Sequence, residues 1–214
     1  MTGRRLAAAA GVLAVLSGGC ATARPSAVPE AEAARVRELW ERAREEAWGQ
    51  RRFKALFRGE SVPRAGAVVR GYLSVFWDGE TLEWRLSAPL AGGVRQGLLS
   101  RSGASPGAVP LPARVSERDA IGVLLGVLDV PAAGAEVLRD GESHLLDLGG
   151  GRAGRLDSAG RVVELRLGSD ASVRLDPGPA LPRRLEAVGP EGRVVLALES
   201  FGPWEEVRSD PGGG

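Results

Sequence analysis

The sequence predicts a single, mainly β domain in which antiparallel strands are combined with two helices. Three observations support this fold class. Apolar and polar residues alternate over many short segments, which is the period-2 pattern of half-buried strands. Turn dipeptides such as Asp78-Gly79 separate neighbouring segments. Two other stretches follow the helical period instead, one strongly charged on one face and one apolar nearly all round.

The composition limits the functions that need to be considered. The chain has 214 residues with 28 Lys+Arg against 27 Asp+Glu. This near balance argues against a dedicated nucleic-acid-binding protein, which would usually be strongly basic. Cys20 is the only cysteine and His144 the only histidine. An intrachain disulfide is therefore excluded, and histidine-rich metal sites and nucleophile-histidine catalysis are disfavoured.

The first thirty residues have the build of a secretion signal followed by a linker. Arg4-Arg5 precedes the apolar run from Leu6 to Leu16, which is too short to span a bilayer comfortably. The run leads into Leu-Ser-Gly-Gly-Cys at residues 16–20, which resembles the bacterial lipobox, in which the cysteine is acylated. We expect a signal peptide at 1–19 and a lipidated Cys20 followed by a flexible tether at 20–30. The alternatives are a conventional signal peptide with an incidental cysteine, or a single-span anchor.

The folded domain is predicted to cover residues 31–204, with a disordered tail at 205–214. It begins with an amphipathic helix from Glu30 to Arg52, for which Trp48-Gly49-Gln50 is the stop signal. A connecting segment at Ser61–Gly66 and the Asp78-Gly79 turn then separate the first strands of an antiparallel meander. The strands predicted here are Phe53–Arg58, Val68–Trp77, Leu82–Ala88 and Val94–Ser100.

The second predicted helix lies in the middle of the chain. A Gly/Ser/Pro-rich loop at 101–113 leads to Ser116, a typical N-cap residue, and the helix runs to Leu128 before Pro131. Because this helix is apolar nearly all round, it should be buried on more than one side, within a concave sheet. Further strands are predicted after it, at Ser143–Leu148, Gly151–Leu156, Arg161–Leu167, Ser172–Asp176, Arg184–Val188 and Arg193–Ser200.

No motif in the sequence specifies catalysis or a cofactor. Gly149–Gly154 formally matches G-x-G-x-x-G, but a strand follows it, so no helix N-terminus is available for a phosphate. Lys54, the only lysine, lacks the glycine frame of a phosphate-binding loop. His144 lies among leucines and is interpreted as a strand residue. We therefore predict a protein that is not an enzyme and has no cofactor.

The turn after the Leu82–Ala88 strand is unusual because its tip is apolar. Leu90 lies between Pro89 and the glycines at 92–93, whereas turns are usually polar because they face water. Leu90 is either folded back onto the core or available for contact with another molecule. Aromatic residues on neighbouring strands are most simply core, although the inward face of an open β-shell could accept an apolar ligand.

The order of these parts resembles the LolA/LolB-like superfamily, and within it the LolB family of outer-membrane lipoprotein receptors. The resemblance covers roughly residues 31–204. It depends on the lipobox and tether, the amphipathic helix, Phe76-Trp77, the mid-chain helix and the final strand pair. It also depends on the Arg-Leu-Ser-Ala-Pro-Leu-Ala-Gly sequence at residues 85–92.

The resemblance implies a half-open antiparallel β-barrel with helices at its mouth and an apolar cavity for acyl chains. The mid-chain helix corresponds to the plug, and Leu90 matches a leucine that helps to place lipoproteins into the membrane. The family pattern has Asn before the Pro-Leu pair, where this chain has Ala88. The residues expected to line the cavity are Phe57, Leu73, Val75, Trp77, Trp84, Leu86, Leu124 and Leu125.

The implied partners are bacterial lipoproteins or their acyl chains, a periplasmic LolA-like carrier and the outer membrane, with no nucleic acid. Ala21 follows the cysteine, and by resemblance to lipoprotein sorting rules the absence of Asp there favours the outer membrane. Two readings stay open beside a lipoprotein receptor. One is a non-transporting envelope lipoprotein that uses the same shell for interaction or assembly, which a filled shell would favour. The weaker one is an envelope hydrolase.

Overall fold

The computed structural model describes residues 25–88, 93–103, 111 and 115–204. These residues form two helices, α1 (Glu30–Trp48) and α2 (Glu117–Leu125). The strands of the first half are β1 (Ser26–Ala27), β2 (Phe53–Pro63), β3 (Val69–Trp77), β4 (Thr81–Ala88) and β5 (Gly93–Ser100). Those of the second half are β6 (Glu136–Asp140), β7 (Ser143–Gly149), β8 (Arg152–Leu156), β9 (Val162–Leu167), β10 (Ala171–Asp176), β11 (Arg184–Gly189) and β12 (Gly192–Pro203).

All twelve of these strands belong to one antiparallel sheet, in the order β1-β6-β7-β8-β9-β10-β11-β12-β2-β3-β4-β5. The sheet does not close on itself, and β1 and β5 are its edges. The last strand, β12, pairs with β2 along its whole length, from Gly192 opposite Pro63 to Pro203 opposite Phe53. The predicted fold class, an open antiparallel sheet with two helices, is confirmed.

The inward faces of the strands follow the predicted alternation. Leu73, Val75 and Trp77 on β3 are buried, and so are Leu82 and Trp84 on β4. The predicted Asp78-Gly79 turn joins these two strands. The Asp78 carboxylate accepts hydrogen bonds from the backbone of Glu80 and Thr81, and Gly79 adopts φ +103°. Local sequence is therefore enough to set the register of this hairpin.

Both helices end at a glycine, and each ends earlier than its longest predicted range. The α1 helix stops at Trp48, in agreement with the predicted stop signal, rather than continuing to Arg52. The α2 helix begins with Ser116 as its N-cap but ends at Leu125, not Leu128. Gly126 takes the left-handed conformation (φ 85°) and caps the last carbonyls, which terminates the helix.

Two strands were not predicted, and two others, β2 and β12, extend several residues beyond their predicted ranges. Ser26–Ala27 lies within the expected tether, yet it pairs with Leu138 and Arg139 of β6. β6 itself follows no clear turn signal, and its five residues bury only Val137. β2 continues through the predicted connection as far as Pro63, because β12 offers it hydrogen-bonding partners that the local sequence does not reveal.

Two tryptophans of α1 join this helix to the segment that follows α2 and to the sheet. The Trp40 Nε1 donates to the Val130 carbonyl over 2.9 Å, and the Trp48 Nε1 donates to the Val127 carbonyl over 3.0 Å. The Trp48 ring meets Trp77 of β3 edge-on at 6.0 Å. The surface of β3 that the sequence predicts as a cavity wall is thus covered by a side chain from α1.

A buried carboxylate joins both helices to the sheet. Asp129, in the segment after α2, accepts hydrogen bonds from Arg44 of α1, Arg118 of α2 and Arg101 at the end of β5. Its side chain is only 2% exposed. Burial raises the pKa of Asp129, but the hydrogen bonds from the three arginines outweigh this effect and hold the pKa below its usual range. Asp129 is therefore an anionic centre that connects three elements of the fold.

A candidate ligand-binding cleft at the mouth of the sheet

The predicted cavity residues come together, but in the hydrophobic core. Seven of the eight are buried, and the eighth, Leu86, is partly buried and packs against the same cluster. Only Leu125 also lines a cleft that opens on the surface beside this core. The buried members are Phe57, Leu73, Val75, Trp77, Trp84, Leu124 and Leu125.

This cleft lies beside the carboxyl ends of both helices. Its volume is about 710 Å³, within the ~300–1,000 Å³ typical of small-molecule sites. One wall is the end of α1 and the start of β2, and a second is the end of α2. The turn between β8 and β9 and the proline-rich segment 177–182 between β10 and β11 complete it. The cleft therefore lies at the mouth of the open sheet, outside the packed core.

The floor of the cleft is apolar. Buried side chains contributed to it include Phe53, Leu125, Val162, Leu175 and Leu181. Phe201 of β12 lies beside Phe53 with ring centroids 5.3 Å apart, and it remains 44% exposed. A large exposed aromatic ring next to an apolar floor leaves a surface on which an aliphatic chain gains free energy by leaving water.

The proline-rich wall is held against the helices by two contacts. The Gln50 amide donates from Nε2 to the Ala180 carbonyl over 2.8 Å. Gly126 approaches Pro182 so closely that a Cβ at this position would lie 2.8 Å from the proline ring. Gly126 thus both caps α2 and allows the wall to pack, so the cleft has a fixed shape on this side.

Four charged residues line the cleft, namely Glu46, Arg51, Arg52 and Arg161. The Arg161 guanidinium donates two hydrogen bonds to Asp157, over 2.9 and 2.7 Å. Burial raises the pKa of Asp157, but the hydrogen bonds from Arg161 outweigh this, so the pKa is lowered overall. Arg51 is exposed and has no hydrogen bond or ion pair with any other described residue.

Sequence reasoning missed most of this cleft. The predicted strands Ser172–Asp176 and Arg184–Val188 flank the segment Pro177–Pro182, for which no role is predicted. Its three prolines cannot donate backbone hydrogen bonds and therefore signal a stretch that packs without joining the sheet. The prolines thus indicate an irregular stretch, but no sequence signal connects it with Phe201 or with the helix ends.

Two predicted sites, Cys20 and Leu90, lie outside the described residues. The strand residues that flank the Leu90 turn are Ala88, which is buried, and Gly93, which is exposed. Val94, next along β5, is 61% exposed. The lipidation of Cys20 and the membrane contact of Leu90 stay predictions.

His144 and the glycine-rich stretch at 149–154 belong to the β7–β8 region of the sheet. His144 is a β7 residue, and its Nε2 lies 2.7 Å from the Glu32 carboxylate of α1. Within the stretch 149–154, Gly149 ends β7, residues 150–151 form the turn and β8 begins at Arg152, so a strand follows the first glycines. Within the described residues, no group of three or more His, Cys, Asp or Glu side chains is arranged to hold a metal ion. Neither α1 nor α2 is both long and apolar enough to cross a membrane.

Comparison with known proteins gives a likeness in structure but not in sequence. No protein-family model matches the chain, and no curated protein sequence matches it. A LolA superfamily protein from Nitrosomonas europaea superposes with a TM-score of 0.53 at 13% identity, over 79% of this chain and 94% of that one.

Two further solved structures are similar at lower scores. One is a putative outer membrane lipoprotein-sorting protein domain from Vibrio parahaemolyticus (TM-score 0.44, 11% identity, 81% of this chain and 95% of that one). The other is a DUF1329 family protein from Desulfovibrio piger (TM-score 0.37, 13% identity, 83% and 95%). The likeness to the Nitrosomonas protein concerns the fold alone, which is an open antiparallel sheet in both chains.

Proposed function

We propose that this protein is an envelope lipoprotein that binds an acyl chain in the cleft at the mouth of its sheet. In that role it helps to receive lipoproteins or insert them into the outer membrane. The observation that carries the proposal is the apolar cleft of about 710 Å³ on a LolA-like sheet. No bond is made or broken in this function.

The driving force for binding is the transfer of methylene groups out of water. Each buried methylene contributes about 0.8 kcal/mol, so a chain that buries ten of them gains about 8 kcal/mol before the costs of ordering. The apolar floor around Phe53, Leu175 and Leu181 provides the contact surface. Because the Phe201 ring is 44% exposed, binding would also remove this aromatic surface from water.

Membrane attachment in this proposal is through acylated Cys20, and Ala21 favours the outer membrane. The hairpin between β4 and β5, which contains Leu90, contacts the bilayer. Two exposed side chains near this hairpin, Tyr72 (46%) and Val94 (61%), are compatible with such a contact. Delivery then follows when the bound chain leaves the cleft for the hydrocarbon core of the bilayer. The partner that supplies the chain is a periplasmic LolA-like carrier.

The cleft and the hairpin lie at different levels of the sheet. Phe53, which lines the cleft, is at the start of β2. Ser87, next to the β4–β5 hairpin, pairs with Tyr72 of β3, and Tyr72 in turn pairs with Arg58 of β2. Phe53 and Arg58 are five residues apart on β2, which corresponds to about 17 Å. The end that accepts an acyl chain is therefore separate from the end proposed to meet the bilayer.

A second function is favoured by one specific observation. The eight residues expected to form a cavity belong to the packed core or lie against it. An envelope lipoprotein that uses its surface for protein interaction or assembly needs no empty interior. This alternative predicts that the purified protein contains no bound lipid.

Mass spectrometry of molecules that copurify with the full chain tests these two functions. Acyl-containing ligands should copurify with the wild-type protein. The variant Ala43→Trp, which places an indole in the cleft from α1, should reduce their amount at least several-fold. Ala34→Trp, at an exposed position on the same helix, is the matched control and should retain them. A wild-type protein free of lipid would refute acyl binding and support the assembly function.

A further inference from the structure

We infer that the cleft selects acyl chains with an anionic head group, a carboxylate or a phosphate, and that Arg51 binds this head. The inference rests on the proposed function, because it assumes that an acyl chain occupies the apolar floor. It adds the chemical class of the ligand and the residue that determines the selection.

The first step is the distribution of polarity within the cleft. The floor is formed by buried apolar side chains, whereas the four charged residues that line the cleft are all exposed. An amphiphile therefore fits in one direction, with its chain on the floor and its head at the rim. The head then lies among Glu46, Arg51, Arg52 and Arg161.

The second step is the sign of the charge at the rim. Three arginines and one glutamate give the lining side chains a net charge of +2. The carboxyl ends of α1 and α2 also border the cleft, and each carries a partial charge of about −0.5. These two ends together contribute about −1, and Asp157, which pairs with Arg161, contributes a further negative charge. The rim as a whole is therefore close to neutral, and the attraction for an anionic head depends on an arginine that lacks a carboxylate partner.

The three arginines at the rim differ in whether they can bind a ligand. Arg161 is held by the Asp157 carboxylate, which cancels most of its charge. Arg52 already interacts with other groups. The pKa of Asp78 is lowered mainly by the backbone hydrogen bond from Thr81, and the charge of Arg52 lowers it further. Arg51 is exposed and unpaired among the described residues. A guanidinium in this state can donate two parallel hydrogen bonds to a carboxylate or phosphate.

Glu46 opposes Arg51 and provides an internal test. It is exposed on α1, it lines the same cleft, and no described residue forms an ion pair with it. An anionic head is therefore attracted by Arg51 and repelled by Glu46. Neutralising the two residues separately should change the affinity for anionic ligands in opposite directions while the affinity for neutral ligands stays constant.

Competition binding with ligands that share one chain tests the inference. The full chain carrying Cys20→Ala, which removes any acyl group on the anchor, is loaded with an uncharged fluorescent acyl probe. Oleate, methyl oleate and oleoyl lysophosphatidic acid then displace the probe below their micelle-forming concentrations. We expect both anionic ligands to bind about two- to fivefold more tightly than the methyl ester, the range that an exposed ion pair provides. A preference for only one anion would identify the head group as carboxylate or phosphate and would also support the inference.

Variants separate Arg51 from general electrostatics. Arg51→Gln should remove the preference for anionic heads without changing the affinity for methyl oleate, and Glu46→Gln should increase the preference. Arg35→Gln, at an exposed position of α1 outside the cleft lining, should change neither. Equal wild-type affinity for oleate and its methyl ester, or an unchanged preference in Arg51→Gln, would overturn the inference and leave acyl binding intact. Failure of all three ligands to displace the probe would overturn acyl binding as well.

Discussion

Replacing Asp129 by Asn should destabilise the fold strongly although the side-chain volume hardly changes. The Asp129 carboxylate accepts hydrogen bonds of 3.0 Å from Arg44, 3.2 Å from Arg101, and 3.2 and 2.9 Å from Arg118. Asparagine removes the negative charge and introduces an NH₂ group, which can only donate, among three guanidinium donors. The three arginines would then repel one another without a central anion.

The magnitude follows from the burial of the carboxylate. Removing one partner of a buried ionic cluster costs about 3–5 kcal/mol, because charges that it compensated are left without a partner. Arg44 keeps its ion pair with Glu41, so the loss falls mainly on Arg101 and Arg118. For a domain of this size each kcal/mol lowers the melting temperature by about 2–4 °C. We therefore expect Asp129→Asn to melt about 6–20 °C below the wild type.

The effect should also depend on pH. Because the pKa of Asp129 is lowered in the folded protein, its stabilisation is fully present above the unfolded value of about 4. The stabilisation is lost as the pH falls through the lower, folded-state pKa. The difference between Asp129→Asn and the wild type should therefore be constant near neutrality and shrink below about pH 4.

Urea unfolding followed by tryptophan fluorescence measures the difference in the free energy of unfolding between variant and wild type. Trp48 also reports on the cluster directly. The Arg101 guanidinium lies 5.0 Å from the centroid of the Trp48 ring, so release of Arg101 should alter the Trp48 signal in the native state. Glu38→Gln removes an exposed i,i+4 partner of Arg42 and should have no measurable effect. A free energy of unfolding within 1 kcal/mol of wild type for Asp129→Asn would refute the role assigned to this cluster.

Three further outcomes are expected. Gly154→Ala should cost about 2–3 kcal/mol in thermal or urea unfolding, since its Cβ would lie 2.2 Å from the Trp40 ring in a packed core. Cys20→Ala should move the protein from the membrane fraction to the soluble fraction, as judged by immunoblotting. Val94→Cys in the Cys20→Ala background, labelled with an environment-sensitive fluorophore, should show a blue shift on adding phospholipid vesicles if the β4–β5 hairpin meets the bilayer.

Matched changes elsewhere in the chain serve as controls. In Gly202→Ala the added Cβ would have no other atom within 4 Å, so this substitution should be tolerated. A fluorophore at Ser158→Cys, in the exposed turn between β8 and β9, should report no vesicle-dependent shift. Equal shifts at positions 94 and 158 would argue against a defined membrane-facing end. Retention of Cys20→Ala in membranes would contradict the lipid anchor.

The strand pattern could be predicted because it depends on neighbouring residues. Alternation in β3 and β4 marks the buried face whatever lies above it, and Asp78-Gly79 sets their turn. The same logic could not say whether the buried face borders a cavity or a packed helix. That outcome depends on Trp48, which reaches Trp77 from a different element.

The cleft could not be predicted because its walls come from distant parts of the chain. Gln50, Gly126 and Ala180 are far apart in the sequence and lie together only in the folded structure. β1 was missed for a related reason, since two residues are too few for any periodicity and their partner β6 lies more than a hundred residues away. Local sequence describes elements well, whereas these contacts are properties of the assembled sheet.

The pairing of β1 with β6 also changes the geometry of a membrane anchor. With the tether predicted at 20–30, a lipid on Cys20 could hold the domain at a distance of up to about 36 Å along an extended chain. Because Ser26–Ala27 is fixed to the sheet edge, only the link from Cys20 to Pro25 remains, with a reach of about 18 Å. Halving the radius reduces the volume open to the domain about eightfold. An anchored molecule would thus stay close to the bilayer, and a soluble carrier would have to come to it.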